Sequence, residues 1–91
     1  MKVRVHVFVS GDVHGVFFRS ETRRRAVKNN LKGWIRNLDD GRVEAMFEGD
    51  QEKVNDLIGF CKRGPSGARV SKIEVISEVH TGDYKDFRIV W

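Results

Sequence analysis

The sequence predicts an α+β fold: one antiparallel sheet with two helices on one face, in the order βαββαβ, and a short fifth strand at the end. Three observations carry this. Val3, Val5, Val7 and Val9 alternate with Lys2, Arg4, His6 and Phe8, the period of a half-buried strand. Val54, Leu57, Ile58 and Cys61 recur at the spacing of a helix with one apolar face. Asp39-Asp40-Gly41 separates two alternating runs and marks a β-hairpin.

The first strand covers residues 2–10, with its valines toward the core. The first helix runs from about Phe18 to Leu31, with Phe18, Thr22, Ala26 and Leu31 near one face and Arg23, Arg24 and Lys28 outward. The hairpin strands occupy 33–38 and 41–48. Asp50 is an N-cap residue for a second helix over 51–62, which "RGPSG" ends. Residues 69–79 form the next strand, with Ile73, Val75 and Val79 on one side. Phe87, Ile89 and Trp91 alternate in the final strand over 85–91. Trp34 and Trp91 are expected to pack on the sheet, and Cys61 in the core. Two helices on one face of such a sheet make the ferredoxin-like, split βαβ arrangement.

A chain of 91 residues without repeat or linker reads as a single domain over 1–91. Its hydrophobic content, 40%, is that of a globular rather than a disordered chain. Charged residues reach 33%, above the usual figure of about 25%, an excess that ion-pair networks give to heat-adapted proteins. The net charge of +4 favours anionic partners without choosing among them. A lone cysteine, no leader-like segment and no long apolar run lead us to expect a soluble cytoplasmic protein.

The stretch "GDVHGVFFRS", residues 11–20, joins the first strand to the first helix. In the expected topology the loop, the start of that helix and the end of the second strand at Arg36-Asn37 share one end of the sheet. Asn37 shares its parity with Ile35, so it faces the helices near Arg19. Helix N-termini carry unsatisfied N–H groups and partial positive charge, and glycine lets a loop turn its amides inward. Arginine adds a planar fork for phosphate, and asparagine holds a water through its amide. The set contains no strong base, and the P-loop pattern is absent, so it suits hydrolysis of a phosphate with a good leaving group.

"GDVHGVFFR" resembles the acylphosphatase signature G-x-V-Q-G-V-x-F-R. "GWIRNLDDGRVEAMFEG" is similar to the second signature of that family, and "RGPSGARV" to its G-P-x-x-A-x-V segment. The resemblance implies the same ferredoxin-like fold and a metal-free, cofactor-free hydrolase acting on small acyl phosphates such as acetyl phosphate. By motif position it implies that Arg19 binds the phosphoryl group and Asn37 orients the attacking water. The backbone amides of Val13, His14, Gly15, Val16, Phe17 and Phe18 would wrap the phosphate oxygens. His14 stands where the family usually has Gln. It reads either as a solvent-facing loop residue or as added positive charge near phosphate below about pH 6.5.

Competing readings are weighed by their motifs. An RNA-binding module of this fold needs stacking aromatics in an RNP pattern, which the strands lack. A metal carrier needs C-x-x-C, which one cysteine forbids. A non-catalytic module for a small anionic ligand stays open, but it gives no reason for Arg19 and Asn37 together. Asp39 and Asp40 are explained by turn chemistry rather than by a metal. We expect neither nucleic acid nor membrane as partner, and a monomer or weak homodimer as the assembly.

Overall fold

Alternation from Val3 to Val9 builds the strand at the centre of the molecule. The computed structural model describes residues 1–91. Its elements are β1 (Lys2–Asp12), α1 (Phe18–Lys28), β2 (Lys32–Asn37), β3 (Val43–Asp50), α2 (Gln51–Arg63), β4 (Arg69–Glu78) and β5 (Phe87–Ile89). The sheet order is β4-β1-β3-β2-β5. β1 pairs antiparallel with β3 and β4, and β2 pairs antiparallel with β3. This is the expected ferredoxin-like α+β arrangement with one correction. β5 lies parallel to β2, so the sheet is mixed. The cause is the direction of travel. β4 ends beside the start of β1, where Glu78 pairs with Arg4, and the chain crosses the sheet there and can only run back along β2.

The main core lies between the sheet and the helices. Val5, Val7, Val9, Ile35, Ala45 and Phe47 meet Phe18, Ala26, Val54, Leu57, Phe60 and Cys61 there. α1 packs over β2 and β5, and α2 over β1, β3 and β4. Phe60, outside the apolar stripe read from sequence, packs on Phe18 at 6.0 Å between ring centroids and lies beneath the Arg25 guanidinium.

α1 ends at Lys28, not Leu31. Asn30 takes a left-handed φ of 58°, its N–H bonds the Val27 carbonyl, and the Leu31 N–H bonds that of Ala26. This is a Schellman cap, in which asparagine tolerates the left-handed position and the next apolar residue folds back onto the helix. Leu31 is therefore buried although it lies outside the helix. Asp50 stands at the N-cap of α2 but makes no side-chain cap bond; it pairs with Lys2 at 3.1 Å, and the Gln51 N–H bonds the Met1 carbonyl instead. The hairpin closes with a Gly41 N–H to Leu38 carbonyl bond, and Gly41 takes the left-handed φ of 95° that follows such a turn. β4 ends at Glu78, and Val79 lies beyond it, exposed.

The second face of the sheet is more covered than alternation suggests. Glu44 accepts hydrogen bonds from Arg36 Nε at 2.6 Å and His6 Nε2 at 2.7 Å. Glu48 is buried, accepting the Thr81 N–H and lying 3.5 Å from Arg4. The crossing segment supplies Tyr84, whose hydroxyl accepts from both Arg4 and the Trp34 indole. Met46 is buried on this face.

Candidate active site

Antiparallel pairing of β1 and β3, with β2 beyond, brings the 13–17 loop, the start of α1 and the end of β2 to one edge of the molecule. A cavity of about 330 Å³ opens there, lined by Val13, Gly15, Phe17, Phe18, Arg19, Ser20, Asn37, Ile89 and Trp91. Arg19 and Asn37 thus share one cavity, as parity and topology imply.

The loop is built to leave its donors free. Gly15 and Phe17 take positive φ, 73° and 60°. Glycine does this without strain, whereas a bulky aromatic does so only where its surroundings enforce it. The first helical bond of α1 runs from the Glu21 N–H to the Phe17 carbonyl, and no side chain caps the helix. The backbone N–H groups of Val13, His14, Gly15, Val16 and Phe17 donate no hydrogen bond within the chain. Left-handed residues alternating with others form the concave amide nest that receives anions, and the helix terminus adds its partial charge.

Two side-chain atoms in the cavity are in the same condition. Arg19 Nη1 and Asn37 Oδ1 are buried without a hydrogen-bond partner. Among the arginines, Arg19 and the exposed Arg69 alone make neither a side-chain hydrogen bond nor an ion pair; Arg4, Arg24, Arg25, Arg36, Arg42 and Arg88 are paired with carboxylates. Arg19 rests on the Trp91 ring, with 4.6 Å from guanidinium carbon to centroid. A buried polar atom without a partner costs about 1–3 kcal/mol, more when charged, and an anion in the cavity relieves that cost. The missing carboxylate beside Arg19 leaves its fork open to phosphate.

The remaining residues singled out from sequence fall outside the cavity. His14 is exposed, and its Nε2 donates to the Arg42 carbonyl at 3.0 Å, tying the loop to the β2–β3 turn. Its ring does not line the cavity, nor does the side chain of Val16. Asp40 accepts from the Arg42 N–H and Nε, and these bonds, the backbone one first, hold its carboxyl below the ordinary value. No group of three or more His, Cys, Asp or Glu side chains is arranged to hold a metal ion. Sequence reasoning missed Ser20, Ile89 and Trp91 as lining residues. For Trp91 the available signal was its alternation with Phe87 and Ile89, which follows β5 to the cavity edge.

Comparison with known proteins agrees with this geometry. The family model described as Acylphosphatase matches residues 5–89. An acylphosphatase of Chloroflexus aurantiacus is 55% identical over 89 residues, covering 98% of this chain and 97% of the relative. One from Syntrophus aciditrophicus is 52% identical over 91 residues, covering 100% and 95%. The crystal structure of acylphosphatase from Bacillus subtilis superposes with a TM-score of 0.93 at 32% identity, over 98% of this chain and 99% of that one. A match across nearly the whole chain, in sequence and in fold, does not favour the binding-module alternative: the chain belongs to the acylphosphatase family and hydrolyses acyl phosphates to carboxylate and phosphate.

Proposed function

We propose that Arg19 and the amides of Val13 to Phe18 hold the phosphoryl group, and that Asn37 orients the water that attacks it. One observation carries this reading: a cationic donor, an amide acceptor and a run of backbone donors are all left unpartnered around one cavity. Arg19 and the loop amides meet the phosphoryl oxygens, where charge develops. Asn37 Oδ1 accepts a hydrogen bond from the water and aims its lone pair at phosphorus.

In the step itself the water oxygen forms a bond to phosphorus and the bond from phosphorus to the acyl oxygen breaks. The carboxylate leaves with the electron pair. One water proton passes to a phosphoryl oxygen, so acyl phosphate dianion and water give carboxylate and dihydrogen phosphate. No general base is required of the chain. A carboxylate, whose acid has a pKa of about 4, leaves unprotonated. Catalysis then rests on positioning and preorganised charge.

The substrate class is a small acyl phosphate. We place the enzyme in the cytoplasm as a single domain acting without nucleic acid or membrane. Support comes from the buried free Cys61 and from the lack of any helix long and apolar enough to cross a membrane. Titration of 15N-labelled protein with inorganic phosphate tests the cradle. The amides of residues 13–18 and the Arg19 side chain are expected to shift together, and Arg19→Ala to abolish the shifts. Shifts confined to other surfaces contradict the assignment.

A further inference from the structure

We propose that His14 is a positioning residue: its imidazole braces the phosphate loop against the end of β2 and so sets the spacing between the phosphoryl group and the water on Asn37. The proposal rests on the assignment of Arg19 and Asn37 and deepens it. A loop that offers its amides to phosphate cannot also use them to hold itself in place. In residues 13–16 no backbone N–H or carbonyl makes a hydrogen bond within the chain. Val13 is buried and Val16 packs against the core, apolar contacts that seat the loop without fixing its direction. The bond from His14 Nε2 to the Arg42 carbonyl, 3.0 Å long, is the only hydrogen bond that ties these residues to the rest of the chain.

The carbonyl it reaches is a shared one. It also accepts the Leu38 N–H at 2.8 Å, the bond that closes the hairpin directly after Asn37. Asn37 itself pairs with Val43, the residue after Arg42. The turn between them is fixed from within, since the Gly41 N–H bonds the Leu38 carbonyl and the Arg42 N–H bonds Asp40. His14 and Leu38 therefore donate to one oxygen, which offers two lone pairs. That oxygen registers the phosphate loop against the strand end that carries Asn37. A carbonyl only accepts, so Nε2 carries the hydrogen and Nδ1 is the bare nitrogen of the neutral ring. His14 is exposed, so folding depends little on its bond. Attack on phosphorus does depend on it, because a displacement of about 1 Å at the reacting atoms is costly.

The test compares His14→Gln with His14→Met. The two side chains are alike in length and shape; glutamine restores an N–H donor as far from the backbone as Nε2, and methionine has none. With acetyl phosphate, kcat is expected to fall about tenfold in His14→Met and to stay within about twofold of wild type in His14→Gln. The thermal midpoint is expected to be the same in both. In an Asn37→Ala background, where alignment with the water is already lost, His14→Met is expected to cost less than about twofold. Equal kcat in His14→Met and His14→Gln overturns the proposal. So does a loss that persists undiminished in Asn37→Ala, which assigns the brace to phosphate binding alone, and so does a loss that tracks the thermal midpoint. Should His14→Met fail to fold, His14→Ala replaces it with the same criteria. Wild-type turnover in Asn37→Ala alone defeats the reading on which the proposal rests, a failure told apart from that of the brace because it involves no His14 variant.

Discussion

Arg19 Nη1 and Asn37 Oδ1, one at the start of α1 and the other at the end of β2, are buried in one cavity, each without an intramolecular partner. A donor and an acceptor so placed do not satisfy each other; in the proposed function the donor takes a phosphoryl oxygen and the acceptor the attacking water. Replacing Arg19 with Lys keeps the charge and loses the two-pronged fork. Phosphate inhibition is expected to weaken about tenfold or more in Arg19→Lys, and further in Arg19→Ala, on the scale of about 1.5–3 kcal/mol for a charged hydrogen bond. Inhibition constants for inorganic phosphate measure this.

Acid stability depends on the covered second face. Burial raises the Glu44 carboxyl, but the hydrogen bonds and charges of Arg36 and His6 outweigh it and hold the carboxyl below its ordinary value of 4.5. A depressed folded-state value stabilises fully above about pH 4.5, and the contribution is lost as pH falls through the folded value. Glu44→Gln is expected to flatten the acid limb of stability, read from urea midpoints between pH 3 and 6. Glu21, Asp40 and Asp50 are also depressed, through Arg24, Arg42 and Lys2, but lie at the surface where salt screens them.

Thr22 is fully buried on α1, and its hydroxyl has no partner. An unsatisfied buried hydroxyl is a net cost, so Thr22→Val is expected to raise stability by about 1 kcal/mol. Thermal or chemical denaturation checks this, with a loss of stability as the contrary result.

Cys61 lies in the core, where burial pushes its thiol up to about 12. The thiolate is the reactive form, so native protein is expected to resist thiol reagents at pH 8 and to react at the rate of global opening. Labelling followed by mass spectrometry, with and without denaturant, measures it.

Most of the fold is legible because its signals are local. Val3 to Val9, the stripe of α2 and the Asp-Gly hairpin each declare an element within a few residues, and parity along β2 places Asn37 with Ile35. What escapes is set by distant partners. The end of α1 is the local exception: Asn30 is a helix-stop residue type, but the apolar spacing continues through it to Leu31. The direction of β5 follows from where β4 ends, and the pairing of buried Glu48 from the crossing segment that brings Thr81. In the site, Arg19 and Asn37 stand out by residue type and position. Trp91 does not, since an aromatic in an alternating run reads as packing, whereas it lies beyond β5, exposed on the cavity wall.

The most direct measurement is release of phosphate from acetyl phosphate by the wild type and Asn37→Ala, with EDTA present and inorganic phosphate as inhibitor. Wild-type turnover is expected to be insensitive to EDTA. Asn37→Ala is expected to lose about 2.7–4 kcal/mol of transition-state stabilisation, roughly a hundredfold to a thousandfold in kcat, while phosphate inhibits it nearly as well as the wild type. Turnover in Asn37→Ala at the wild-type rate, or lost together with phosphate binding, contradicts the division of labour between Arg19 and Asn37.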